Sequence, residues 1–270
     1  MIITKLNDGN SMPMLGYGTY KIDDCAQATR CVADALEAGY RLIDTATLYR
    51  NEAGIGQAIS SCGIARKDLF VTTKLWTDVN SRDKAFKSVD ESLAKLKTDY
   101  LDLLLIHWPT QANVTVWQAM LELQQQGVVR SVGVSNFKQH HVDELLTATG
   151  VVPAVNQVEF HPLFQQPDLQ QYCNGKNIRL QAWSPLMRAK ALQIDELSRL
   201  AAKYNVTVAQ LILRWDIQLG VATIPKTTNK ERMAENFDIF RFEISDRDMQ
   251  AIANLNSNER QYRDPDNHGF

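Results

Sequence analysis

The chain of 270 residues lacks several features that would assign it to a specialised class of protein. Its four cysteines, Cys25, Cys31, Cys62 and Cys173, form no Cys-x-x-Cys pair and have no histidine at metal-ligand spacing. The pattern predicts free thiols, no metal site and a reducing, cytoplasmic location. No run approaches the roughly 18–20 apolar residues of a membrane span, and the first residues do not resemble a signal peptide. We therefore expect no membrane partner.

The chain also lacks a large excess of charge of either sign. Twenty-nine basic and 31 acidic residues give a formal net charge of −2, which provides no broad positive field for a nucleic-acid backbone. The chain is 44% hydrophobic and 22% charged, as in ordinary globular proteins. Its length suits one α/β barrel of roughly 250 residues. We expect a single domain over residues 1–270, acting as a monomer.

A dinucleotide-binding glycine fingerprint is missing as well. A doubly wound open sheet, the main alternative fold, would normally carry Gly-x-Gly-x-x-Gly between its first strand and helix. The nearest match is Gly16-Tyr17-Gly18-Thr19, which has no third glycine and is interpreted here as a tight turn. The sequence thus favours a barrel over the open sheet.

Short apolar, β-branched segments alternate with segments of helical periodicity along the chain. Seven strands are predicted, at residues 41–45, 69–75, 101–106, 129–134, 154–160, 178–183 and 221–225. Their helix-length connections require a parallel sheet. An eighth strand is not obvious, and a vestigial one near 190–192 would fill the gap. Segments 2–6 and 11–14 predict a hairpin, and two helices are expected around 195–203 and 207–219. The predicted fold is a (β/α)8 TIM barrel with an N-terminal β-hairpin.

Ionisable side chains collect where the predicted strands end, which is the catalytic face of such barrels. Asp44, Lys74 and His107 each end a strand, and Tyr49 follows the first of these strands closely. A phenol with a pKa near 10 is a poor acid at neutral pH, but a nearby ammonium group can lower its pKa by roughly 1–3 units. These four residues therefore predict a site in which Tyr49 protonates a carbonyl oxygen while hydride reaches the carbon.

The remaining strand ends offer a cradle for a hydride carrier. Ser135, Asn136 and Gln157 carry groups that can bind a carboxamide, and Trp183 offers a flat face for a nicotinamide ring. Residues 224–232 place cationic side chains and hydroxyl groups near the start of a helix, which predicts an anion site.

Other interpretations of these residues remain open. Asp44 could cap a helix, Lys74 could reach water from an edge strand, and His107 could be a buried core residue. Lys74 could also be a Schiff-base nucleophile in an aldolase-like barrel.

Three segments together resemble the aldo-keto reductase superfamily. They are Gly-Tyr-Arg-Leu-Ile-Asp-Thr-Ala at 39–46 with Tyr49 and Asn51-Glu52, residues 98–109 with His107-Trp108-Pro109, and residues 224–236. The resemblance spans nearly the whole chain. It implies a TIM barrel with two additional helices and NADPH bound without a Rossmann fold. It also implies that the missing strand is the seventh, which is short in the family.

The same resemblance assigns roles to individual residues. It implies that Tyr49 is the general acid, tuned by Lys74 and Asp44, with His107 orienting the carbonyl. Cofactor contacts are expected from Gly18, Thr19, Asp44, Ser135, Asn136, Gln157, Trp183, Ser184, Leu186, Ile224, Lys226, Thr227, Thr228, Arg232, Glu235 and Asn236. Substrate contacts are expected from Tyr20, Tyr49, Trp76, His107 and Trp108.

Two departures from the family pattern bear on the substrate. Trp183 stands where many members have a tyrosine-type ring, and the loop after His107 is short, as in bacterial and protist members similar to 2,5-diketo-gluconate reductases and prostaglandin F synthase-like enzymes. An open pocket is expected, suited to small aldehydes, α-dicarbonyls and keto sugars. Members of the superfamily that sense the cofactor as regulatory modules provide a third hypothesis.

Overall fold

The computed structural model describes residues 2–270 and contains a barrel of eight parallel strands surrounded by helices. The barrel strands are β3 (Gly16–Gly18), β4 (Leu42–Asp44), β5 (Phe70–Leu75), β6 (Leu101–Ile106), β7 (Val129–Ser135), β8 (Val155–Glu159), β9 (Arg179–Trp183) and β10 (Ala222–Thr223). Each strand pairs in parallel with the next along the chain. A parallel bridge between Leu15 and Thr223 joins the first barrel strand to the last. The predicted (β/α)8 fold is confirmed.

Ten α-helices surround the barrel in the part of the chain that the structure describes, two more than eight βα units require. They are α1 (Cys25–Glu37), α2 (Glu52–Ser61), α3 (Arg82–Leu96), α4 (Asn113–Gln125), α5 (Gln139–Thr149), α6 (Pro167–Gly175), α7 (Asp195–Tyr204), α8 (Val208–Gln218), α9 (Lys230–Phe237) and α10 (Asp246–Ala253). The extra helices arise because α7 and α8 both follow β9 and because α10 follows the last barrel unit.

The expected hairpin is present and lies at the amino ends of the strands. Strands β1 (Ile3–Lys5) and β2 (Ser11–Pro13) pair antiparallel. Asn7 donates to the carbonyl oxygen of Pro153 and Asn10 to that of Arg130, at 3.0 Å each. These carbonyls precede β8 or lie at the start of β7, so the hairpin covers the bottom of the barrel.

Two predictions about the eighth strand were wrong. Residues 190–192 are not a strand, because they lie in a 3-10 helix, Met187–Gln193, that contains left-handed residues. The overlooked strand is β3, the first of the barrel, and the seventh, β9, has five residues. The pair Gly16 and Gly18, interpreted as a tight turn, is extended backbone within β3. With three residues and two glycines, β3 carries almost no hydrophobic pattern.

Candidate active site

A cavity of about 960 Å³ opens at the carboxyl ends of the strands. The predicted residues that line it are Gly18, Thr19, Tyr20, Asp44, Tyr49, Trp76, His107, Trp108, Ser135, Asn136, Gln157, Trp183, Ser184, Leu186, Ile224, Lys226, Thr227, Arg232, Glu235 and Asn236. Two predicted residues, Lys74 and Thr228, are not part of the lining. Lys74 is fully buried beneath the cavity floor, whereas Thr228 lies exposed at the edge of the 224–232 segment.

An ion pair between Lys74 and Asp44 lies under the floor of the cavity. The Nζ atom of Lys74 donates to Oδ1 of Asp44 at 2.5 Å and to the main-chain oxygen of Thr45 at 2.8 Å. Burial lowers the pKa of Lys74 and raises that of Asp44, and the attraction between the two opposes both shifts. Because the amine is enclosed and engaged with these oxygens, the geometry disfavours the Schiff-base alternative.

Tyr49 ends a short 3-10 turn, Thr47–Tyr49, which follows β4. The turn is fixed by the hydroxyl of Thr47, which donates to the main-chain oxygen of Lys74 at 3.0 Å. Lys74 Nζ lies 5.1 Å from the centre of the Tyr49 ring. Burial raises the pKa of Tyr49 well above 10 and the nearby Asp44 carboxyl raises it further, so these two effects, and not the Lys74 ammonium, set the direction of the shift in this structure. The phenol therefore retains its proton.

His107 follows β6 and lies between two aromatic rings. Its ring centre is 5.6 Å from that of Tyr49 and 5.0 Å from that of Trp76, with edge-to-face geometry in both pairs. Burial, with a further contribution from the charge of Lys74, lowers the pKa of His107 well below 6.5. The ring is thus a neutral imidazole. Its Nδ1 atom is buried and has no hydrogen-bond partner among residues 2–270.

Polar side chains at the ends of β7, β8 and β9 form a connected network. Ser135 Oγ donates to the main-chain oxygen of Gln157 at 2.8 Å, and Asn136 Nδ2 donates to that of His107 at 2.9 Å. Trp183 Nε1 donates to Oδ1 of Asn136, also at 2.9 Å. Gln157 Nε2 donates to Oδ2 of Asp44 at 2.7 Å. These bonds fix the indole ring and the amides on one wall of the cavity, and they connect that wall to the ion pair below.

The 224–236 segment supplies the cationic end of the cavity. The loop before α9 is held by Tyr17, whose hydroxyl donates to the main-chain oxygen of Thr227 at 2.6 Å. Lys226 and Arg232 are exposed, and neither side chain has an ion-pair partner within residues 2–270. Two unpaired cations at the rim of a large cavity fit a phosphate-bearing dinucleotide.

The sequence did not single out several residues of the cavity. Arg188 and Leu192 come from the 3-10 helix after β9, and Tyr262 and Phe270 come from the segment after α10. Tyr262 hydrogen-bonds to Tyr20 through the two hydroxyl groups, 3.2 Å apart. A contribution from the tail was expected in general terms, but its aromatic residues have no motif that would identify them individually.

Comparisons with known proteins show which family this chain is similar to. A family model described as the aldo/keto reductase family matches residues 14–257. Glyoxal reductase of Bacillus subtilis is 46% identical over 97% of this chain and 95% of its own length. The methylglyoxal reductase of Escherichia coli K12 is 41% identical, covering 99% of this chain and 98% of its own. The crystal structure of a Gox0644 D53A mutant in complex with NADPH is 38% identical, with a TM-score of 0.95 over 100% of this chain and 99% of the other.

Proposed function

The chain belongs to the aldo/keto reductase family and is an NADPH-dependent carbonyl reductase, and we propose that Tyr49, Lys74, Asp44 and His107 carry out its chemistry. The observation that carries this assignment is the buried Lys74–Asp44 pair, which lies directly beneath a protonated Tyr49 in the cavity floor. Side chains that are far apart in the sequence meet there because β4, β5 and β6 are neighbours in the barrel.

The proton comes from Tyr49 in this proposal. Its raised pKa keeps the phenol protonated until negative charge develops on the carbonyl oxygen of the substrate. The Lys74 ammonium group, held by Asp44, then stabilises the phenolate that forms. His107 is neutral, so it orients the carbonyl oxygen through an N–H donor without competing as an acid.

The polar wall and the cationic rim are proposed to hold the cofactor, which supplies the hydride when bound. Ser135, Asn136 and Gln157 would bind the carboxamide, and the half-buried Trp183 would provide the stacking face. Lys226, Thr227 and Arg232 would surround the 2′-phosphate, with Glu235 and Asn236 beside the adenine. Ser184 and Leu186 would lie near the pyrophosphate, with Gly18, Thr19, Ile224 and Thr228 as further contacts.

Small aldehydes, α-dicarbonyls such as methylglyoxal, and keto sugars are the proposed substrates. The support comes from the names of two relatives, a glyoxal reductase and a methylglyoxal reductase, and from the aromatic lining of the cavity. Tyr20, Trp76 and Trp108 lie on that lining next to the reacting end.

The proposal extends to the state of the protein in the cell. We expect a single-domain monomer in the cytoplasm that takes a small-molecule carbonyl substrate and no nucleic acid. All four cysteines are free, which supports a reducing compartment. No α-helix within residues 2–270 combines the length and the apolar character needed to cross a membrane.

Replacing Tyr49 with phenylalanine tests the assigned chemistry. Loss of the acid should lower kcat for methylglyoxal by about 10²- to 10⁴-fold. The affinity for NADPH, followed by quenching of tryptophan fluorescence, should stay within about threefold of the wild type, a change below 1 kcal/mol. An unchanged kcat in this variant would show that Tyr49 is not the proton donor. Tight NADPH binding by the wild type, with negligible turnover on every aldehyde and dicarbonyl in a broad panel, would instead favour the cofactor-sensing module.

A further inference from the structure

The side-chain amide of Gln157 uses both of its N–H groups inside the protein. Nε2 donates to Oδ2 of Asp44 at 2.7 Å and to Oε1 of Gln181 at 2.8 Å. An amide nitrogen has two donors, and an ionised carboxylate can only accept, so this orientation of the amide is dictated by its partners. The Oε1 atom of Gln157 has no partner within residues 2–270, and Gln157 lines the cavity. The amide therefore presents an acceptor, and not a donor, to whatever binds there.

Gln181 lies outside the cavity lining. It is fully buried in β9, directly opposite Gln157 in the register of β8 with β9. Its own Nε2 atom is buried without a hydrogen-bond partner in the described part of the chain. An unpaired buried donor costs about 1–3 kcal/mol, and an apolar residue of similar size at 181 would remove this one but leave an N–H group of Gln157 without its acceptor. The polar side chain at 181 thus brings no clear gain in stability, and the one hydrogen bond that it makes within residues 2–270 is the contact with Gln157.

We propose that Gln181 is a positioning residue for cofactor binding, because its oxygen and that of Asp44 together hold the Gln157 amide with its own oxygen facing the cavity. The ligand group that this arrangement selects is an N–H donor, which a carboxamide provides and a carboxylate does not. The inference rests on the proposed assignment of Gln157 to the nicotinamide carboxamide. It also connects the carboxamide site to the ion pair, since the same amide nitrogen binds Asp44.

The test compares two nucleotides that differ only at this group, NADP⁺ and its analogue with a nicotinic acid ring. Gln181→Met keeps the approximate volume and removes the acceptor. Binding of NADP⁺ by this variant, measured by calorimetry, should weaken by about 3- to 10-fold, the loss expected for one hydrogen bond. Binding of the acid analogue should not change, so that the preference for NADP⁺ narrows by the same factor. The thermal midpoint should stay close to that of the wild type, because the variant removes one unpaired buried donor, Gln181 Nε2, and leaves another on Gln157.

Gln181→Glu serves as the conservative variant, because its carboxyl group, kept neutral by burial and by the nearby Asp44, retains an oxygen acceptor for Gln157 Nε2. NADP⁺ affinity in this variant should stay within about twofold of the wild type, well under 1 kcal/mol. Wild-type affinity in Gln181→Met would overturn the inference. So would an equal loss for both nucleotides together with a lower thermal midpoint, since that result indicates general damage to the barrel.

Arg232→Ala separates this inference from the proposed cofactor site. Arg232 lies at the cationic end of the cavity. Its removal should lower the affinity for NADP⁺ and for the acid analogue by the same factor and leave the ratio of the two affinities unchanged. If Arg232→Ala behaves in this way and Gln181→Met binds like the wild type, only the role of Gln181 fails. If neither the wild type nor any variant binds NADP⁺, the cofactor site itself is refuted.

Discussion

Asp216 has a buried carboxyl group that does not line the cavity. It lies on α8 with no exposed surface, and neither carboxylate oxygen has a hydrogen-bond partner among residues 2–270. Burial raises the pKa of Asp216 well above 3.8, and the nearby hydroxyl of Thr223 offsets only part of that rise. An isolated buried carboxylate is strongly unfavourable, so the folded protein keeps this group in its neutral form.

The raised pKa sets the sign of a pH dependence. The unfolded chain ionises Asp216 near pH 3.9, whereas the folded chain retains the proton, so its contribution to stability is complete below that pH and is lost as pH rises through the folded pKa. Asp216→Asn stays neutral in both states. The variant should be as stable as the wild type near pH 4 and increasingly more stable toward pH 8, with a free energy of unfolding that gains up to about 1.4 kcal/mol per pH unit on the wild type and a thermal midpoint that rises with it.

Asp99→Asn is the matched control, because Asp99 is exposed on the surface. The difference in thermal midpoint between this variant and the wild type, measured by differential scanning calorimetry, should not change over the same pH range. If the difference in thermal midpoint between Asp216→Asn and the wild type is also independent of pH, the folded protein does not hold this proton.

The residues of the candidate site could be predicted from the sequence, but the partners of their hydrogen bonds could not. Asp44, Lys74 and His107 could be found because each ends a recognisable apolar strand. The direction of the Tyr49 pKa could not, because it depends on how far the fold encloses the ring and on how close it brings the Asp44 carboxyl. The role of Gln181 was missed for the same reason, since nothing local distinguishes it from any other strand residue.

At the scale of elements, the barrel closes where β3 meets the end of β10, and this seam between the first and last strands depends on Gly18. The N–H of Gly18 donates to the main-chain oxygen of Pro225 at 3.1 Å, across the join between the first and last strands. A methyl group at Gly18 would approach the main-chain oxygen of Ile224 to 2.8 Å. Because the opposing atom belongs to the backbone, it cannot rotate away.

Gly18→Ala should therefore force the seam apart and lower the free energy of unfolding by about 1–3 kcal/mol, as overpacked sites do. Urea denaturation followed by circular dichroism measures the change. Gly175→Ala is the control, since nothing lies within 4 Å of a methyl group at the end of α6. That variant should be neutral or up to about 1 kcal/mol more stable. Equal behaviour of the two variants would contradict the role of the seam.

Elements with a strong pattern were predicted almost to the residue. The run at 101–106 coincides with β6, and α8 lies at 208–218 where 207–219 was expected. The failures are the weakly patterned segments. Residues 190–192 contain apolar side chains but occupy a 3-10 helix with left-handed Arg188 and Ala189. Such backbone is set by the tertiary surroundings, which local propensity does not encode.

At the scale of the whole molecule, the segment after α10 returns across the top of the barrel. Lys138 Nζ, at the start of α5, contacts Asp264 at 2.7 Å and Asp266 at 2.6 Å. The side chains of His140 and His141 also lie within 3.2 Å of Asp266. These contacts hold the tail so that Tyr262 reaches the cavity.

Lys138→Met should loosen this attachment without touching the cavity. Partly exposed ion pairs contribute about 0.2–1 kcal/mol each, so the loss of two should increase hydrogen exchange of tail amides by roughly 2- to 30-fold. Exchange in β6 should not change. Lys95→Met, which removes an exposed pair with Glu91 on α3, should leave the tail as protected as in the wild type. An unaltered tail in Lys138→Met would mean that its other contacts, including those of His140 and His141 with Asp266, are enough to hold it.

The position of Tyr262 and Phe270 on the segment after α10 bears on how this architecture can diversify. The proposed proton-transfer groups belong to the strands and the turn beside them, whereas these two rings belong to a segment that contributes no strand to the barrel. Substitutions in that segment can therefore change the aromatic lining of the cavity while the groups on its floor keep their places.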